Sequence, residues 1–250
     1  MATAQSLLNN VLRGLRRDVL DATSTTSSYH MLLLQYLNVA KDRIEEQWDW
    51  QVLRTTVTVT LSAGTSTYAL TAAGPADVDV GPRSRLLYEK PVIYGGEEGG
   101  IETTDYVAGS LPQVFDVTDS NEFRLDERSP EQIERLHFTD NDETGTPSEF
   151  SLHNDASNMV LRVWPTPSAT RTIKMRFVIP QAEIPSTAMT AYTLSIADRP
   201  IWLRALVMAA EERGEEASRP LAAIDRDAED ALYLAIERER GPQDNTGYPL

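Results

Sequence analysis

The chain has 250 residues and a mass of 27.8 kDa, with 41% hydrophobic and 24% charged residues. That is the composition of a chain that folds, long enough for one large domain or two small ones. It contains no Cys, which excludes disulfide scaffolds, thiolate metal sites and cysteine nucleophiles and suits synthesis in a reducing cytoplasm. Its net charge of -15 is concentrated: between Pro91 and Phe150, 15 acids face only Arg124, Arg128 and Arg135, a balance of -12. Tight binding to a phosphate backbone needs clustered Lys and Arg, so nucleic-acid readers are excluded as a class.

The N-terminal stretch MATAQSLLNNVLRGLRRDVL lacks the continuous apolar core of a signal peptide. Leu7, Leu8, Val11, Leu12, Leu15 and Val19 recur at helical spacing, which predicts an amphipathic helix from Ser6 to about Leu20. A second helix follows, capped by Ser27 or Ser28, with Tyr29, Leu32, Leu33, Tyr36, Leu37, Ala40 and Ile44 on one stripe. It gives way to Trp48-Asp49-Trp50, whose alternation sends one indole to the core and the other toward a neighbour. Leu53, Thr55, Val57, Val59 and Leu61 then alternate with polar residues, and Ala63-Gly64-Thr65-Ser66 leads to Tyr68-Ala69-Leu70, which reads as a β-hairpin.

From Thr71 to about Asn158, turn residues separate short β-like runs at Arg85 to Tyr88, Val92 to Tyr94 and Ile133 to Phe138. Strands are predicted at Phe150 to Leu152, Met159 to Trp164 and Ile173 to Ile179, the last with one apolar and one wet face. Beyond Pro180 and Pro185, Ile201, Ala205, Met208 and Ala209 form a helical stripe that Asp198 would cap and Pro200 would start. A last helix begins near Ser218 with Pro220 early, places Leu221, Ile224, Ala228, Leu232 and Ala235 together, and stops at Gly241-Pro242. The expected class is α+β: a bundle from N- and C-terminal helices with a β-rich central insertion. Its parts are residues 1–50 (helical), 51–185 (β-rich), 186–240 (helical) and 241–250 (an extended tail).

Catalysis leaves few traces. His30, His137 and His153 lie in separate segments, and the GxGxxG, GxxxxGK[ST], GxSxG and HExxH patterns are absent. Asp140-Asn141-Asp142-Glu143-Thr144-Gly145 imitates the start of a calcium loop, but Ser151 stands where the bidentate Glu belongs, so it reads as an acidic turn. Glu45-Glu46 and Glu211-Glu212 are helix neighbours that do not converge on one point. No apolar run of about 20 residues predicts a membrane span. The expectation is a non-enzyme with no metal, catalytic or cofactor site.

The helical pair ending in Trp48-Asp49-Trp50, the strand Leu53-Arg54-Thr55-Thr56-Val57 with Gly64 to Leu70, and the later order GTPSEFSLHN, MVLRVWPTPSATRTIKMRFVIP and LRALVMAAEERGE resemble the head-to-tail adaptor (connector) proteins of tailed phages. The resemblance implies a homo-oligomeric ring, typically of about twelve subunits, that joins the portal protein to a tail or nozzle protein. Phage DNA would pass through the ring without specific binding, and the acidic segment would face that channel and repel phosphate. Made in the host cytoplasm, the protein would reside in the virion neck. The resemblance also implies portal binding by the tail, at Gly241, Pro242, Asn245, Tyr248, Pro249 and Leu250, while Trp48 and Trp50 would serve a subunit interface or the core. Two rivals are a different virion component, such as a tail or decoration protein, and a glycan hydrolase working through paired acids.

Overall fold

A computed structural model of the chain describes residues 2–20, 27–89, 111–119, 122–139, 143–155, 158–187, 189–214, 217 and 219–240. It separates into a unit made of Met1–Leu53 with Pro180–Leu250 and a unit made of Arg54–Ile179. The fold is α+β, with helices gathered in the first unit and sheets in the second.

The helical unit holds α1 (Ala4–Gly14), α2 (Ser28–Gln47), α4 (Asp198–Arg213) and α5 (Leu221–Arg240); α3 (Pro130–Thr139) belongs to the other unit. α4 packs against α1, α2 and α5. Its burial explains that place: Ile201, Leu203, Ala205, Leu206, Val207, Ala209 and Ala210 are all buried, so apolar residues run round most of the helix rather than along one stripe. α5 has an ordinary stripe of Ile224, Ala228, Ala231 and Ala235. At α2 the cap is Ser27, whose hydroxyl accepts from the His30 N–H, while His30 Nδ1 accepts from the Ser27 N–H at 3.1 Å, forming a reciprocal capping box.

Two helix boundaries differ from expectation. α1 ends at Gly14, not near Leu20, because Arg16 adopts a left-handed φ of 54° and the chain doubles back. Asn9 then holds Leu20 from both sides, donating to its carbonyl and accepting from its N–H, each at 2.9 Å. Asp198 is the first helical residue of α4 rather than its cap; Ala197 holds that position without a side-chain bond. The acid still favours the helix start, since its charge meets the positive end of the dipole. The last helix begins at Leu221, where the Pro220 carbonyl accepts from the N–H groups of Ala223 and Ile224.

The second unit contains β1 (Arg54–Leu61), β2 (Thr67–Ala69), β3 (Arg85–Leu86), β4 (Tyr88–Glu89), β5 (Leu111–Pro112), β6 (Val114–Asp116), β7 (Phe123–Arg124) and β8 (Asp126–Glu127), and after α3 it continues with β9 (Thr144–Gly145), β10 (Glu149–Asp155), β11 (Asn158–Trp164), β12 (Thr166–Pro167) and β13 (Arg171–Val178). One sheet runs β1-β13-β6-β7 with β3 also on β13, and a second runs β2-β11-β10-β8. Val57, Val59 and Leu61 from β1, Ile173, Met175 and Phe177 from β13, and Phe150, Leu161 and Val163 from the second sheet share one core. The alternation seen along β1 and β13 is the inward and outward alternation of that core.

Residues Leu53 to Leu70 are not a hairpin. β1 pairs antiparallel with β13 along its whole length, from Arg54 opposite Val178 to Leu61 opposite Arg171, and β2 pairs with β11 in the other sheet. The turn between them is a corner that changes sheets. Gly64 takes a left-handed φ of 76°, its N–H reaches the Pro167 carbonyl at 2.8 Å, and the Tyr68 hydroxyl clasps both backbone groups of Ser62. The stretch Ile133 to Phe138 is helical, not extended, since α3 starts on a second capping box: the Gln132 N–H donates to Ser129 Oγ at 3.3 Å and the Ser129 N–H to Gln132 Oε1 at 3.1 Å. The β-like run at Val92 to Tyr94 lies outside the described residues.

Candidate functional site

Of the sites expected from sequence, the one whose surroundings are described is the corner where α5 ends. α2 stops at Gln47, and Trp48 takes an extended conformation as its C-cap. Trp50 turns inward, fully buried, and its Nε1 donates to the Ile44 carbonyl at 3.0 Å, which satisfies the indole while its ring fills the core. Trp48 stays half-buried under the guanidinium of Arg240, 4.9 Å from its ring centroid. Gln51 then closes the corner: its N–H donates to Glu239 Oε2 at 3.1 Å and its Nε2 to the Glu239 carbonyl at 3.0 Å. The point from which residues 241–250 continue is therefore tied to the end of α2. Gly241, Pro242, Asn245, Tyr248, Pro249 and Leu250 themselves lie outside the described residues.

Beside this corner a cavity of about 290 Å³ is lined by Trp50, Ser195, Ile196, Ala197, Ala235 and Arg238 among others. A similar one, also about 290 Å³, lies where Arg13 and Gly14 of α1 meet Trp202 and Leu206 of α4. In the β-rich unit, Arg128, Gln132, Arg135, Leu136, Thr139 and Glu149 line a cleft of about 260 Å³. Its Arg128 is already paired with Glu149 at 2.9 Å.

The helical unit also contains a buried polar cluster that the sequence reading did not foresee. Lys41 is fully buried, and its Nζ donates to Glu45 Oε2 at 3.0 Å and to the Gln181 carbonyl at 2.8 Å, with Asp42 Oδ1 at 3.2 Å. Glu45 Oε1 accepts from the Gln181 N–H at 3.2 Å. Asn38 grips Ile184 through both backbone groups, and Gln181 Oε1 accepts from the Ser195 N–H at 2.9 Å. Tyr192 joins through its hydroxyl, which donates to the Ala182 carbonyl; burial, then the charges of Glu45 and Asp42, pushes its phenol up to about 12. This cluster ties the returning chain to α2. A signal was present: Asn38, Lys41 and Glu45 interrupt the apolar stripe of α2 at helical spacing.

The histidines are dispersed: His30 caps α2, His137 Nε2 lies 3.1 Å from the Val163 carbonyl, and His153 is on β10. Among the described residues no three His, Cys, Asp or Glu are grouped to hold a metal ion, and no helix is long and apolar enough to cross a membrane. Of the calcium-like turn, residues 140–142 lie outside the described residues and Glu143 is exposed. In the acidic segment, Asp119, Glu122, Asp126, Glu127, Glu131 and Glu134 are exposed, whereas Asp116 is buried against Arg171 at 3.4 Å. Large apolar side chains also stand in water, among them Phe138 at 87% exposure on α3, Met31 and Val39 on α2, and Tyr233 and Leu234 on α5.

The helical unit is thus assembled from both ends of the chain and the β-rich unit from the residues between those ends in sequence. The chain matches the profile of the SU10 adaptor protein family over residues 2–247, and it belongs to that family, a family of phage structural adaptors. No curated protein sequence matches it.

Proposed function

We propose that the chain is a subunit of the adaptor ring in a tailed-phage neck, joining the portal protein to a tail or nozzle protein and continuing the DNA channel. The observation that carries this reading is membership of the adaptor family over nearly the whole chain, so that both units fall inside the match. In this reading the helical unit builds a ring of about twelve copies, with the β-rich part carried as an insertion. Residues 241–250 reach the portal from the Trp48–Gln51–Glu239 corner, which fixes their point of departure. Exposed acids of the 91–150 segment turn toward the channel and repel passing phosphate.

Function then lies in surfaces rather than in a reaction. Ordering the tail on the portal costs conformational entropy, so each contact is weak alone and strong when repeated around a ring. Mass photometry of the full chain, alone and with the portal protein of the same phage, tests the reading. A ring-sized complex that is lost on deleting residues 241–250 is expected. No association with the portal by either form would move the protein to another place in the virion.

A further inference from the structure

A closed ring of identical subunits needs two different surfaces on each copy, one meeting the other around the circle. The helical unit presents two such surfaces. α4 packs against both α2 and α5, which make no comparable contact with each other. On α2 the residues turned away from the core are Met31, Gln35, Val39, Arg43 and Glu46. On α5 they include Glu229, Tyr233 and Leu234, whereas Arg240 lies over Trp48 of its own chain and donates to Glu237 at 3.0 Å. Met31 and Val39 are each 40% exposed, and Tyr233 and Leu234 are 64% and 53% exposed. Single exposed apolar residues are ordinary on a protein surface; two of them on each of two flanking helices, framed by charge, make an interface pattern.

The directions of the helices also agree with a ring. Gln51, just past α2, bonds Glu239 in the last turn of α5, and Ala197, just before α4, lines one cavity with Trp50, Ala235 and Arg238. The end of α2, the start of α4 and the end of α5 thus meet, so α2 and α5 run the same way and α4 opposes them. Rotation by about 30° between neighbours in a ring of about twelve leaves the next subunit's α5 nearly parallel to α2, close to a common helix-packing angle. With Val39 set on Tyr233 in parallel register, equal spacing along both helices brings Arg43 opposite Glu237 and Gln35 opposite Glu229. At the exposed positions of that register the charged pair Arg43–Glu237 is complementary, while Glu45, which falls opposite Glu239, is buried in its own subunit.

We propose that the outer face of α2 in one subunit packs on the outer face of α5 in the next, with Val39 against Tyr233 and Arg43 against Glu237. This inference rests on the ring reading above. It is tested on the full chain mixed with the portal protein, by counting ring-sized particles. Arg43→Glu and Glu237→Arg are each expected to lower the ring fraction about tenfold, and the double exchange to restore it, because opposed charges are then regained. Far-UV circular dichroism should be unchanged throughout, since Arg43 is exposed and Glu237, half-exposed, gives up only its surface bond to Arg240.

A second measurement does not depend on charge. The chain has no Cys, so Val39→Cys with Tyr233→Cys supplies the sole thiols, and mild oxidation of assembled rings should give a ladder of linked subunits on a non-reducing gel. Unlinked subunits, full assembly of both single charge variants, or a double exchange no better than the singles would each overturn the α2–α5 contact while leaving the adaptor reading intact. A native chain that forms no ring with the portal would overturn the ring reading and this contact together.

Discussion

In the helical unit, pieces of chain more than a hundred residues apart are held in register by buried polar groups. Asn38 meets Ile184, and Lys41 and Glu45 meet Gln181. In the β-rich unit the shared core is almost wholly apolar, with Phe150, Leu161, Val163 and Phe177 at its centre, while register comes from backbone ladders such as the eight paired positions of β1 and β13. The difference has a physical cause. A sheet fixes register through hydrogen bonds that every residue makes, so its core is free to be greasy. Helix packing is set by side-chain shape, and a discontinuous unit gains specificity from directional bonds that only one alignment satisfies.

The largest effects should come from the polar side of this comparison. Lys41→Met strands the buried Glu45 carboxylate and should cost about 4 kcal/mol in chemical denaturation. Lys41→Met with Glu45→Met removes both charges and should recover part of that stability, the Gln181 N–H and carbonyl being left without their partners, yet weaken the near-UV circular dichroism that reports unique packing. Full recovery of both signals would show that the cluster adds nothing to specificity. On the apolar side, Leu161→Ala should cost about 3 kcal/mol, and no second substitution across the sheets should recover part of it as the Met pair does, because a cavity has no charge to cancel.

The same distinction separates what the sequence revealed from what it did not. α2, α4 and α5 announce themselves because a helix is a local object: apolar residues three and four apart, with Ser27 ahead of α2 and Pro220 ahead of α5. α3 was legible too, through Ser129-Pro130-Glu131-Gln132, which is a cap, a proline and a capping-box partner in order, but the apolar spacing of Ile133 and Phe138 drew the reading toward a strand. Strands β1 and β13 follow from alternation, and β10 and β11 from short runs set off by turn residues, yet their partners do not follow. Nothing in Leu53 to Leu70 says that β1 will bond to a strand more than a hundred residues later. At the corner, Trp50 and Trp48 were singled out by their alternation, whereas the Gln51–Glu239 clasp depends on a contact between residues 188 apart.

Tyr68→Phe sharpens the comparison at a smaller scale, since it removes one hydroxyl from a corner of the β-rich unit. The hydroxyl serves both backbone groups of Ser62, so its loss should cost about 1 kcal/mol, read as a shift of the denaturant midpoint without a change of slope.

The smallest expected effect is a titration that both units share. Tyr88 in the β-rich unit donates to both carboxylate oxygens of Glu127, and burial together with that acid pushes its phenol up to about 12, the same value that Tyr192 reaches beside Glu45 and Asp42. Each phenol is easier to ionise in the unfolded chain than in the folded one. Their contribution to stability is therefore present below the ordinary value of 10.0 and fades as pH climbs through about 12. In a phenolate absorbance titration, Tyr88 and Tyr192 should ionise late, and Tyr68, which burial also raises, should ionise later than an exposed phenol. Glu127→Gln should bring Tyr88 partway back, because burial is the largest cause and survives the substitution, while leaving Tyr192 in place. If the variant moved both phenols equally, the two units would share one electrostatic environment, and the division between a polar-keyed helical unit and a ladder-keyed β-rich unit would fail at that point.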